Sequence, residues 1–86
     1  MACHHLKIWP QYFDAVLSGV KPFEIRENDR DYQVGDHLRL LEWSPEQEEF
    51  TGRQLEVLVT YMTEFGQKAG TVVMGIKGPI HKGLKP

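Results

Sequence analysis

With 86 residues, the chain is long enough for one domain with a small core, and its 41% hydrophobic and 26% charged content is that of a folded globular protein. The formal net charge of -2 argues against a protein that coats nucleic acid through bulk electrostatics, so any such contact must be local. No apolar stretch approaches the roughly 18 residues of a membrane span, the N-terminus lacks the apolar region of a secretory signal, and Cys3 is the single cysteine. We therefore expect a cytoplasmic protein with no membrane contact and no internal disulfide.

A short strand and a short helix are predicted at the start of the chain. The segment HHLKI is the strand candidate, and Pro10 suits the first helical position, where its missing N–H costs nothing. Gly19 tolerates the left-handed conformation of a helix end, so we expect the helix to stop there after about nine residues. The apolar stripe expected to face the core consists of Tyr12, Phe13, Val16 and Leu17.

The next segment, GVKPFEIR, changes the period of its pattern to two. Phe23 and Ile25 point to one side, which we expect to be the core, and Glu24 and Arg26 point to the other. With Lys21 they supply a cation, a carboxylate and a planar fork of five donors, the groups needed to grip a nucleobase or a phosphate. The alternative is an exposed strand with an ion pair that contributes about 0 to 1 kcal/mol.

Three further strands are predicted in the rest of the chain. Turn formers after Glu27 predict a hairpin-like return into a strand over residues 37–43. An acidic loop over residues 44–52 precedes the longest strand, 53–62, and a last strand covers 71–76. The apolar face of the longest strand is Leu55, Val57, Val59 and Tyr61. These elements predict a small α+β domain whose sheet curls into an open barrel.

A family resemblance accompanies this pattern. The G-x-K-x-x-E-x-R hallmark of the ASCH domains, a branch of the PUA-like β-barrels, is matched by Gly19, Lys21, Glu24 and Arg26. The longer stretch HHLKIWPQYFDAVLSGVKPFEIRENDRDYQVGDHLRLLEW resembles an uncharacterised ASCH-like subfamily of bacteria and phages. The prolines, glycine and lysines of residues 79–86 predict a flexible basic tail. The resemblance implies a PUA-like open β-barrel with one short N-terminal helix over residues 1–78. It also implies a cleft between barrel and helix, and RNA binding.

The resemblance and the residue chemistry together predict an RNA- or nucleotide-binding cleft with the motif's charged residues at its mouth. Lysine and arginine are expected to hold phosphate, and Glu24 to accept a hydrogen bond from a base or ribose. The predicted binding residues are Lys21, Glu24, Arg26, Arg30, Asn28, His4 and Lys7. Asn28 is also expected to shape its loop, and Arg30 to contact phosphate or brace Glu24. His4 and Lys7 match the H-x-L-K opening of the subfamily, and a purely structural histidine stays open as an alternative for His4.

The aromatic residues divide into core and cleft candidates. Trp9 and Trp43 are candidates for stacking on bases, which contributes about 1 to 3 kcal/mol per base. Tyr12 is assigned to the core, where aromatic residues at helical spacing usually lie.

Two other functions stay open. Some ASCH proteins are hydrolases, and one branch removes the acyl group of a modified cytidine with a lysine, a threonine and a glutamate. Lys21 stands in the place of that lysine, whereas Glu24 stands in the place of the threonine. For an enzyme acting on a modified nucleoside or RNA, Lys21 and Glu24 are the expected catalytic pair. A protein-interaction module would instead use the acidic loop around Glu46, Glu48 and Glu49.

Cys3, His4 and His5 carry groups that bind zinc. Adjacent strand residues point to opposite faces, and no second Cys or His pair follows at ligand spacing. We therefore predict no metal site and no cofactor.

Overall fold

A computed structural model describes residues 1–80, which form one helix and five strands. In chain order these are β1 (Cys3–Ile8), α1 (Pro10–Ser18), β2 (Phe23–Glu27), β3 (His37–Ser44), β4 (Glu49–Thr63) and β5 (Thr71–Lys77). The strands make one mixed sheet in the order β1-β3-β4-β5-β2. β1 runs parallel to β3, and the other pairings are antiparallel. β1 and β2 are therefore the two edges of the sheet.

The sheet forms a half-barrel with its core on the inner face, which agrees with the predicted α+β open barrel and its short N-terminal helix. The buried apolar residues come from every element except β2, and from the loop before β3. They are Leu6, Ile8, Phe13, Val16, Tyr32, Leu38, Leu40, Leu55, Val57, Val59, Val72, Met74 and Ile76. At the far end of the described residues, the Ile80 N–H donates to the Glu56 carbonyl at 2.8 Å, and the rest of the predicted tail, 81–86, lies outside those residues.

The helix has the predicted bounds and the predicted end. Gly19 takes the left-handed conformation with φ 90°, and its N–H donates to the Val16 carbonyl at 3.1 Å. The predicted core stripe is only half right, because Tyr12 and Leu17 are exposed. A short helix resting on a sheet buries a narrow line of side chains, here Phe13 and Val16, and the residues beside that line stay at the surface.

The orientation predicted for β2 is wrong. Glu24 faces inward and is 3% exposed, whereas Phe23 and Ile25 face outward. Glu24 pairs in register with Met74, a fully buried residue of β5, so it occupies the core face of the sheet. A carboxylate can take this position because two cations neutralise it, and a period-two pattern alone does not reveal that pairing.

The predicted hairpin-like return after β2 is also wrong. β2 pairs with β5, and β3 enters the middle of the sheet between β1 and β4. The connecting segment, residues 28–36, is mostly exposed but buries Tyr32 in the core. The predicted acidic loop is shorter than expected, because the pairs Trp43–Phe50 and Ser44–Glu49 extend the β3–β4 ladder and leave only residues 45–48 between the strands.

Tyr61 does not lie on the buried face of β4. The β4–β5 register shifts between Val59 and Tyr61, and the extra residue reverses the alternation of side chains beyond that point. Tyr61 therefore points outward and is 66% exposed, while Met62 turns toward the core.

Candidate functional site

A groove of about 740 Å³ lies where the two edge strands face one another. The end of β1 and the start of α1 form one side, and β2 with the residues before it forms the other. The lining residues are Lys7, Ile8, Trp9, Tyr12, Lys21, Phe23, Glu24, Ile25 and Arg26. The volume is in the range of small-molecule sites, so the open seam of the half-barrel is large enough for a ligand.

Glu24 is the buried anchor of this groove. Its Oε1 accepts a hydrogen bond from Lys21 Nζ, and its Oε2 accepts one from Arg26 Nε at 2.9 Å. Burying an unpaired carboxylate costs several kcal/mol, and the two cations offset this cost. The carboxylate in turn fixes the position of both cations.

Each of these cations also binds a backbone carbonyl of an edge strand. Lys21 Nζ donates to the Phe23 carbonyl on β2 at 2.9 Å, and Arg26 Nη2 donates to the Lys7 carbonyl on β1 at 2.9 Å. Carbonyls on the outer side of an edge strand have no neighbouring strand to bind them. Glu24, Lys21 and Arg26 therefore form a small network that covers both edges and spans the seam.

The groove is positively charged although the chain is not. The lining residues include three cations, Lys7, Lys21 and Arg26, and one carboxylate, that of Glu24. Within residues 1–80, Arg26 Nη1 has no hydrogen-bond partner, and Lys21 Nζ retains one N–H beyond its two bonds. These donors can bind an anion without breaking the contacts to Glu24.

Aromatic rings form much of the wall. Trp9 and Tyr12 are close to half exposed, and Phe23 is 37% exposed. Lys21 Nζ lies 5.8 Å from the ring centre of Tyr12 and 5.0 Å from that of Phe23, which are cation–π distances. Tyr12 therefore belongs to the groove, and its assignment to the core from helical spacing was wrong. With Trp9 and Phe23, it gives the groove a wall that can hold a planar ring.

Four of the seven predicted binding residues lie together in the groove, namely Lys7, Lys21, Glu24 and Arg26. Trp9 also lines it, while Trp43 lies outside the lining with the Lys7 ammonium 4.2 Å from its ring centre. Lys7 is therefore held beside the groove through an aromatic contact.

The other three predicted residues lie outside the groove lining. Asn28 Oδ1 accepts from the Tyr32 N–H at 3.0 Å and shapes its loop. Arg30 is exposed, with its Nε 3.9 Å from the Asp29 carboxylate. His4 Nε2 bonds to Asp36 Oδ2 at 2.8 Å, and the edge of its ring packs on Tyr32.

Asp36, in the turn-rich segment before β3, is a buried polar residue. Burial alone would raise the pKa of its carboxyl, but hydrogen bonds from His4 and from the N–H groups of Ala2 and Gln33 outweigh burial and hold that pKa below its usual value. The carboxylate ties the start of β1 to the loop before β3, so its role is structural.

A second ion cluster holds α1 against the β3–β4 hairpin. Arg53 binds the buried Glu42 through two nitrogens at 2.9 and 2.8 Å and reaches Asp14 on α1 at 2.7 Å. The hydrogen bonds from Arg53 and Thr51 lower the pKa of Glu42 to about 2 despite its burial. The guanidinium also lies 4.5 Å from the ring centre of Phe13. None of these residues lines the groove, and the sequence pattern did not indicate that they meet.

The N-terminal Cys and His residues do not gather around one point. His4 turns to Asp36, while Cys3 and His5 are exposed. Within residues 1–80, no three His, Cys, Asp or Glu side chains are placed to hold a metal ion together. The same part of the chain contains no helix with the length and apolar character needed to cross a membrane.

Comparison with known proteins adds a family and a phage relative. The family profile described as a domain of unknown function, DUF3850, matches residues 3–76, which include every residue that lines the groove. An uncharacterized 12.9 kDa protein in the GpA 3′ region of Escherichia phage P2 is 46% identical over 61 residues. That alignment covers 71% of this chain and 54% of the phage protein, so the chain spans about half the length of this curated relative.

Proposed function

The chain belongs to the DUF3850 family, and we propose that it binds a nucleotide, free or within RNA, in the groove between β1 and β2. One observation carries the proposal: two cations, Lys21 and Arg26, are anchored on the buried Glu24 beside aromatic walls. Cations and aromatic rings side by side match the phosphate and the base of one nucleotide.

The phosphate is held by the donors that the network leaves free. Arg26 Nη1 and the remaining N–H of Lys21 offer two charge-assisted hydrogen bonds, and Lys7 adds a third cation on the rim. Because Glu24 holds Lys21 and Arg26 before the ligand arrives, little side-chain entropy is lost on binding. Because the whole chain has a net charge of -2, we expect phosphate to be attracted to this groove and not to the protein surface in general.

The base stacks on the groove wall. Trp9 and Tyr12 present partly exposed rings on the α1 side, and Phe23 presents one on the β2 side. Stacking on such rings contributes about 1 to 3 kcal/mol per base and tolerates different bases.

The finer fold assignment is part of the same proposal. We propose an ASCH-like, PUA-like domain, because Lys21, Glu24 and Arg26 of the G-x-K-x-x-E-x-R motif all line the groove and Gly19 ends the helix beside it. A half-barrel with a short N-terminal helix is compatible with this assignment.

Binding of fluorescein-labelled single-stranded RNA, measured by fluorescence anisotropy, tests the proposal. Arg26→Gln should weaken binding at least tenfold, since it removes a charged donor from the groove. Lys68→Gln makes the same charge change in an exposed loop outside the groove and should leave binding within twofold. Equal affinities of the two variants, or no binding by the unmodified protein, would contradict nucleotide binding in this groove.

Hydrolysis of a modified nucleoside is the second candidate, favoured by the direct contact between Lys21 Nζ and Glu24 Oε1. Lys21 would polarise the bond that is cleaved or activate the attacking water, and Glu24 would carry a proton from that water to the leaving group. Chromatography of acylated cytidines and short RNAs after incubation, with and without divalent metal, tests this candidate. Product formation that is lost in Lys21→Ala supports it, and the absence of product with the unmodified protein rejects it.

A further inference from the structure

An exposed aromatic row crosses the outer face of three strands next to the groove. Phe23 on β2 and Tyr61 on β4 both pair in register with Gly75 on β5. Directly opposed residues on neighbouring strands point to the same face, so the two rings flank a residue without a side chain. Phe23 is 37% and Tyr61 66% exposed. The row is therefore flat between its two rings and open to solvent.

The row is continuous with the groove. Phe23 lines the groove and also begins the row, and Lys21 Nζ lies 5.0 Å from its ring centre. Lys77 lies two residues beyond Gly75, on the same face of β5, and is exposed. Lys21 and Lys77 therefore lie on the same side of the row, because β2 and β5 are antiparallel and both lysines are two residues from the Phe23–Gly75 pair.

We infer that the row Phe23–Gly75–Tyr61 is a stacking platform for the nucleotides that follow the one in the groove, so that the preferred ligand is a single-stranded oligonucleotide. This inference rests on the proposed function of the groove. Successive bases of a single strand stack on exposed rings while lysines neutralise the phosphates. The bases of a duplex cannot stack on Phe23 and Tyr61 in this way, because they are already stacked on one another. The neighbouring Ile25, 52% exposed on the same face of β2, adds apolar surface beside the row.

The fold does not require a glycine at position 75. A Cβ at this position would meet Thr60 Oγ1 at 3.4 Å and Tyr61 Cβ at 3.5 Å, which are ordinary contacts, and the backbone does not have a positive φ. A Cβ therefore fits at position 75, and the methyl groups of a valine there would lie on the outer face between the two rings. Gly75→Val therefore blocks the platform while leaving both aromatic residues in place.

Affinity as a function of ligand length tests the inference. Nucleoside monophosphates and oligouridylates of two to six nucleotides are titrated by isothermal calorimetry into the unmodified protein, Tyr61→Ala, Gly75→Val and the control Phe50→Ala. Phe50 is an exposed aromatic residue of the same strand as Tyr61 but pairs with Trp43 in the β3–β4 hairpin, away from the row. Affinity should rise with length from one to about three nucleotides. Tyr61→Ala and Gly75→Val should each weaken oligonucleotide binding by about 5- to 150-fold and leave monophosphate binding unchanged, while Phe50→Ala changes neither.

The results distinguish failure of the stacking platform from failure of nucleotide binding in the groove. Oligonucleotide binding that depends on Arg26 but not on Tyr61 or Gly75 overturns the platform and leaves the groove proposal standing. Affinity that does not rise beyond one nucleotide has the same meaning. Self-association of the unmodified protein in sedimentation, abolished by Tyr61→Ala and unaffected by RNA, shows that the row is a contact between copies and also overturns the platform. If no nucleotide or oligonucleotide binds, the groove proposal and the platform fall together.

Discussion

Arg26 on one edge strand donates Nη2 to the backbone carbonyl of Lys7 on the other edge strand at 2.9 Å, although the two strands are at opposite ends of the sheet order. The same guanidinium donates Nε to Glu24, which lies inward between Arg26 and Lys21. The seam of the half-barrel is thus bridged by a side chain and not by strand pairing. The bridge leaves a groove beside it, and both features depend on the buried carboxylate.

Replacing Glu24 should destabilise the fold. Glu24→Gln leaves Lys21 and Arg26 without their counter-charge, and both are largely buried, so we expect the free energy of unfolding to fall by about 2 to 3 kcal/mol. Urea denaturation followed by circular dichroism measures the change. Glu27→Gln on the same strand is the exposed control and should stay within about 0.5 kcal/mol of the unmodified protein. Equal effects of the two substitutions would show that Glu24 is not the anchor.

Position 26 requires an arginine because two separate nitrogens of its guanidinium donate to two different acceptors. A lysine there keeps the charge but has a single nitrogen, which cannot serve Glu24 Oε2 and the Lys7 carbonyl in the geometry of two separate guanidinium nitrogens. Arg26→Lys should therefore cost about 1 to 2 kcal/mol and loosen β1. Hydrogen exchange should show faster exchange of β1 amides with little change in the β4–β5 ladder. Unchanged protection of β1 would contradict the bridge.

Stability should fall in acid through Glu42. The folded-state pKa of about 2 lies below the ordinary value of 4.5, so this residue stabilises the fold fully above pH 4.5 and loses its contribution as the pH falls toward 2. The full shift corresponds to roughly 3 kcal/mol, but Arg53 is half exposed and solvent screens the pair, so we expect a loss on the order of 2 kcal/mol. Urea denaturation between pH 6 and pH 2.5 measures it. Glu42→Gln should be less stable than the unmodified protein at pH 6 and should show a shallower decline, and parallel curves for the two proteins would contradict this account.

Replacing Gly19 by alanine should lower the thermal stability of the protein, whereas replacing Gly75 by alanine should not. Gly19 ends α1 with φ 90°, a conformation that costs an L residue about 1 kcal/mol or more. Gly75 has room for a Cβ and no positive φ, and it lies inside a strand, where alanine is favoured. Thermal denaturation should therefore show a lower midpoint for Gly19→Ala and an equal or higher one for Gly75→Ala. A reversed order would contradict the assigned helix end.

Local chemistry predicted the elements and part of the groove. The bounds of α1 follow from Pro10 and Gly19, which act through their own backbone preferences. Lys21, Glu24 and Arg26 were predicted to act together because they are close in sequence, and they do line one groove. Lys7 entered through the family resemblance and not through its spacing.

The errors come from contacts between residues distant in sequence. Glu24 faces inward because β2 pairs with β5 and Glu24 lies opposite the buried Met74, and Tyr61 faces outward because of a register shift against β5. Tyr12 on α1 and Phe23 on β2 line the same groove. Neither the helical spacing around Tyr12 nor the alternation along β2 indicates this, because it depends on the pairing of β2 with β5. Alternation along a strand predicts which residues share a face, but not which face is buried or where a bulge reverses it.

Nitrogen–proton correlation spectra recorded during a titration with a nucleoside monophosphate test the central claim most directly. The account predicts that the largest shifts fall on the Trp9 indole N–H and the Arg26 Nε–H, with smaller ones along β2. Shifts confined to the loop around Arg30 or to the β3–β4 turn, with Trp9 and Arg26 unmoved at saturation, would contradict it.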